Sequence, residues 1–126
     1  MSLKDKNDPE AVVQRQLDAY NARDIEALMA TYAEDARQFE HPSKLLASGA
    51  TQVRERSIAR FKEPNLHARL LKRIVAGNVV VDHEMVTRTF PEGTGKLELV
   101  AIYEVQQGRI ASAWFILGAK TLDAKP

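Results

Sequence analysis

The spacing of apolar residues changes once along this chain, at Leu66, and that change limits the fold more than any other feature. From there on, apolar and polar residues alternate in long runs (66–76, 79–90, 96–106 and 109–117) separated by the short turns Gly77-Asn78, Pro91-Glu92-Gly93-Thr94-Gly95 and Gln107-Gly108. Alternation with period two marks strands, and glycine-bearing connections this short join them as antiparallel hairpins. Before Leu66 the period is helical. Asp8 reads as an N-cap with Pro9 at the first helical position, and Val13, Leu17 and Tyr20 form one stripe running to about Asn21. Asp24 caps a second helix with the stripe Ile25, Leu28, Met29 and Tyr32. Residues 37–41 read as a short strand stopped by Pro42, and 43–49 as a loop. A third helix covers 51–61, with Val53, Ile58 and Phe61 inward and Arg54, Arg56 and Arg60 on a solvated face. Helices ahead of a run of hairpins predict an α+β domain, a curved antiparallel sheet wrapped around three N-terminal helices.

At 126 residues the chain makes one domain, expected over 8–119, with 1–7 frayed and 120–126 as a tail. Lys+Arg 18 against Asp+Glu 17 leaves a formal charge of +1, and the two signs are interspersed. That distribution lacks the basic footprint of a nucleic-acid or anionic-membrane binder. Without cysteine there is no disulfide, thiolate metal site or cysteine nucleophile, which fits a reducing compartment. No apolar run is long enough to cross a bilayer and residues 1–10 are polar, so a cytoplasmic location is expected.

Chemistry is expected at Arg37-Gln38-Phe39-Glu40-His41-Pro42, where a carboxylate and an imidazole adjoin. A glutamate at position 40 in a pocket lined by Phe39, Tyr32 and Trp114 would lose hydration, and its pKa would rise toward that of a neutral-pH base. His41 needs no such tuning, because its reference pKa is about 6.5. Neighbours on a strand point to opposite faces, however, so only one of the two can enter a given pocket. The same rule weakens Asp82-His83-Glu84 as a metal site: two carboxylates share a face and the imidazole takes the other. A cross-strand pair with Arg69, Arg73 or Arg88, or polar lining at the sheet surface, is the better expectation there, and no metal or cofactor is expected. Trp114 and Phe115 likewise divide between a pocket face and an outer face.

The element order, with Ala19-Tyr20-Asn21-Ala22-Arg23-Asp24-Ile25-Glu26-Ala27-Leu28, Tyr32-Ala33-Glu34-Asp35-Ala36 and Gly108-Arg109-Ile110, resembles the nuclear transport factor 2-like superfamily. Within it, the chain looks more like the SnoaL-like and ketosteroid (steroid delta-) isomerase-like branch. The resemblance implies a cystatin-like cone with a deep apolar pocket and a homodimer packed through the sheet. It also implies a small hydrophobic or partly polar ligand, and proton transfer, isomerisation or dehydration as the chemistry. On the isomerase pattern Glu40 takes the base position, the tyrosine oxyanion donor falls on Gln16, the late-strand aspartic acid falls on Ala101, or on Val100 if the gap before Gly108 is placed differently, and Tyr32 matches a supporting tyrosine. Tyr20, one turn beyond Gln16, and Tyr103 are the hydroxyls expected to replace the missing donor. A non-catalytic ligand-binding or protein-association module is the alternative. The dimer face would carry Val100 and Ile102, opposite Ala101 and Tyr103.

Overall fold

A computed structural model describes residues 5–123; the outermost parts of the expected frayed start and tail, 1–4 and 124–126, lie outside it. The first helix, α1 (Pro9–Ala22), starts where the Asp8 carboxylate accepts from the Ala11 N–H at 3.3 Å. It ends where Arg23 turns left-handed at φ 54°. Helix α2 (Ile25–Met29) is capped by the Asp24 carboxylate, which accepts from Ala27 at 3.0 Å. It stops short of Tyr32, which sequence periodicity placed in the helix. The Thr31 hydroxyl donates to the Leu28 carbonyl at 2.7 Å, while the Thr31 carbonyl accepts from Ile110 N–H at 2.7 Å. That long-range bond draws the chain into a sheet, so β1 runs Tyr32–Glu40.

The segment expected to be a loop is an edge strand, β2 (Lys44–Ser48), paired antiparallel to β1 with Leu45 opposite Phe39. Gly49 (φ 89°) then turns the chain into α3 (Ala50–Phe61). Here the expected faces are partly exchanged. Val53 is fully buried, but Ile58 is 40% exposed. Positions 53, 56, 57 and 60 fall on one helical stripe, so Arg56, Ser57 and Arg60 follow Val53 inward.

Strands β3 (His67–Ala76), β4 (Val79–Phe90), β5 (Gly93–Gln106) and β6 (Arg109–Leu122) complete a six-stranded sheet in the order β2-β1-β6-β5-β4-β3. Every neighbouring pair is antiparallel except β1 with β6, which is parallel. The sheet is curved and unclosed, with the three helices in its concavity, the α+β cystatin-like architecture expected from the element order. Val12 and Val13 of α1, Leu28 of α2, Val53 of α3, Val80 of β4 and Ile110 of β6 are all but fully buried and lock helices to sheet. Each such side chain contributes about 1.5–3 kcal/mol by leaving water.

Candidate active site

Between the concave sheet face and helices α1 and α3 lies a cavity of about 250 Å³. Strand pairing decides which side chains reach it. Glu40 lies opposite Phe115, which lies opposite Ala101, which lies opposite Asp82; one step along, Leu117, Leu99 and Glu84 make the next row. Glu40, Phe115, Leu117, Leu99 and Glu84 line the cavity. Ala101 is fully buried behind it and forms no part of the lining.

The structure separates the residues singled out in the sequence. Glu40 enters the cavity wall, whereas the exposed His41 side chain does not, because adjacent strand residues alternate and the His41 N–H continues the ladder to the Phe115 carbonyl at 2.8 Å. Phe39 and Trp114, expected to line the pocket, stand on the convex face instead, stacked at 5.7 Å with Arg37 over the Phe39 ring. Two of the three rings expected to strip water from Glu40 are therefore on the far side of the sheet, and Tyr32 is the one that lines the cavity. Phe115 takes the inner place and meets Tyr103 edge-on at 6.4 Å. Gln16, Tyr20, Tyr32 and Tyr103 all line the cavity.

Beneath it, Arg73 Nε and Nη2 donate to the two Asp82 carboxylate oxygens at 2.7 and 2.9 Å, and Arg73 Nη1 donates to Gln14 at 2.8 Å. Asp82 is fully buried and its acceptors are occupied by this fork. Glu84, two residues on and 4% exposed, is different: no described residue hydrogen-bonds to its carboxyl, which faces the cavity. Burial, and then the negative Asp82 beside it, push its pKa up to about 8 against a smaller opposing pull from Arg73. At neutral pH Glu84 therefore carries its proton and can donate it. His83 points outward and meets Glu98 at 2.8 Å, away from both carboxylates.

Three hydroxyls remain protonated around the cavity. Burial raises the Tyr20 and Tyr103 pKa values and pushes Tyr32 up to about 12. Tyr32 accepts from Gln38 Nε2 at 3.3 Å, which leaves its own proton free to donate. Gln38 in turn accepts from Arg56 Nη1. Arg60 and Arg88 complete the polar wall, with Arg88 held in a fork by Glu63 at 2.8 and 2.8 Å. Glu84 as a cavity acid, and Arg56, Arg60 and Arg88 as cavity cations, were not anticipated. The period-two alternation of β4 and the 53/56/57/60 spacing of α3 are the sequence signals that could have found them.

With this geometry in view, the similarities to known proteins are informative about fold. A cystatin-fold protein from Novosphingobium aromaticivorans superposes with TM-score 0.80 at 23% identity, covering 86% of this chain and 97% of that one. An LEH-like epoxide hydrolase from M. tuberculosis superposes with TM-score 0.77 at 13% identity, covering 88% and 83%. A Catenulispora acidiphila protein with a ketosteroid isomerase-like fold, in complex with trimethylamine, gives TM-score 0.71 at 16% identity, covering 82% of each. No curated protein matches the sequence. The family model described as the SnoaL-like domain matches residues 13–113. The chain belongs to the SnoaL-like domain family, within the nuclear transport factor 2-like superfamily.

Proposed function

We propose that the chain binds a small, partly polar organic molecule in this cavity and moves a proton on it, as an isomerase, dehydratase or hydratase does. The observation that carries this reading is Glu84: a buried carboxyl to which no described residue hydrogen-bonds, facing a cavity that sets apolar side chains against the Arg56, Arg60 and Arg88 cations. Two carboxyls in different environments divide the work of acid and base. Glu40 takes a proton from carbon beside a carbonyl and returns it elsewhere on the substrate. Glu84, still protonated, donates to the carbonyl oxygen as charge builds there, and the Tyr32 and Tyr103 hydroxyls add hydrogen bonds to the same developing oxyanion. Gln16, where the isomerase pattern has a tyrosine, supplies a neutral donor.

A generic reporter of carboxylate bases in apolar sites, 5-nitrobenzisoxazole, tests this without the natural substrate. The protein should open its ring faster than equimolar acetate, and Glu40→Gln should slow that by about a hundredfold or more. His41→Ala should change nothing. An unchanged rate in both Glu40→Gln and Glu84→Gln would refute proton transfer and leave the alternative, a ligand-binding module without turnover.

The convex face supports a homodimer. One row across it reads Ile74, Val81, Ile102, Trp114, Phe39 and Leu45, apolar on all six strands, with Ile74 58% and Leu45 53% exposed. Such a continuous patch suits a second copy packed through the sheet. Sedimentation at micromolar concentration should give twice the chain mass, and Ile102→Asp at the centre of the row should give one; a monomeric parent protein would end the dimer proposal.

A further inference from the structure

Three guanidinium groups, Arg56, Arg60 and Arg88, border the cavity, and they are not equally compensated. Glu63 forks onto Arg88 and also lies 3.4 Å from Arg60 Nε, so one carboxylate serves both. Arg56 has no carboxylate within ion-pair distance among the described residues, and its partner is the neutral side-chain oxygen of Gln38. With Glu84 protonated, Glu40 and Glu63 are the negative charges set against the three cations, which leaves one positive charge over. Asp82 is taken up by Arg73 and does not alter this balance.

Resting on the reading of this cavity as a small-molecule site, we propose that its ligand is a small organic acid whose carboxylate docks on Arg56, with its apolar body between Phe115, Leu99 and Leu117. Arg56 presents five N–H donors and spends one on Gln38, so a two-pronged grip on a carboxylate remains open to it. Its partly buried position makes the match worth more than at the surface: burial, and then repulsion from Arg60, already disfavour its charge. A bound anion relieves both. The Gln38 bridge fixes the guanidinium against β1, so the docked acid is also held beside the Tyr32 hydroxyl. Glu84, uncharged, does not repel it.

Calorimetric titration with 2-naphthoate and with its neutral isostere 2-naphthamide tests the assignment. The acid should bind at least about tenfold more tightly than the amide. Arg56→Gln should abolish that preference while leaving amide binding within about twofold, and Arg56→Lys should keep part of it. Equal binding of acid and amide to the parent protein overturns the organic-acid proposal but spares the cavity reading. A preference that survives Arg56→Gln overturns the role of Arg56. Binding of neither compound overturns the cavity reading and this one with it.

Discussion

Arg73→Ala should destabilise the protein by about 3–5 kcal/mol in urea unfolding at pH 7, the largest loss expected from any single charged side chain here. The size follows from what is left behind. Asp82 has no exposure at all and Arg73 only 9%, so truncating the arginine strands a carboxylate where water cannot reach it. The change also removes the donor to Gln14 and the weaker pairing with Glu10 at 3.8 Å, both on α1, so it loosens the helix that roofs the cavity. The double variant Arg73→Met with Asp82→Leu should recover most of the loss, because replacing both partners by apolar groups removes the desolvation cost together with the attraction. A loss below about 1 kcal/mol for Arg73→Ala would mean that Asp82 is hydrated. The change acts on the chemistry too: Arg73 opposes the rise of the Glu84 pKa, so its removal strengthens the hold of Glu84 on its proton.

The four hairpin strands and the caps at Asp8 and Asp24 were legible in the sequence because each depends on neighbours a few residues away. Tyr32 was misread as helical because its strand is created by a partner nearly eighty residues later, the Ile110 N–H on the Thr31 carbonyl. β2 was missed for a related reason: a five-residue edge strand with Lys44 and Ser48 at its ends has too little alternation to declare itself without β1 beside it. That Glu40 would face the cavity was legible, since strand alternation and element order converge there. Its electrostatics were not. Glu84 is acidic in sequence and neutral in the fold, because its state depends on burial and on the Asp82–Arg73 pair beneath it. Arg56 looked like part of a solvated helix face because the stripe it shares with Val53 becomes a cavity wall only when the sheet curls past it. Phe39 and Trp114 looked like lining because aromatic residues suit pockets and apolar outer faces equally.

Glu84→Gln should change how stability depends on pH more than any other substitution. The unfolded chain loses this proton near 4.5, whereas the folded protein holds it to about 8. Between those values the folded state binds more protons than the unfolded state, so the Glu84 contribution is fully present below about pH 4.5 and is lost as the pH rises through about 8. For a group this buried the loss is on the order of 3–5 kcal/mol. Glutamine keeps the shape and does not titrate, so the variant should gain on the parent protein by that order between pH 5 and pH 9. Glu63, whose carboxyl burial pushes up but Arg88, the Thr89 N–H and Arg60 together hold below the usual range, works in the opposite direction, losing stability as pH falls; it is present in both proteins and cancels in the comparison. Urea midpoints measured across that range give the difference directly, and a carbon-13 titration of the Glu84 carboxyl gives the pKa itself. If the two stability curves run parallel from pH 4 to pH 9, Glu84 ionises as a solvated glutamate does. A carboxylate already charged at neutral pH could not donate to a developing oxyanion, and the division of acid and base between Glu84 and Glu40 would fall with it.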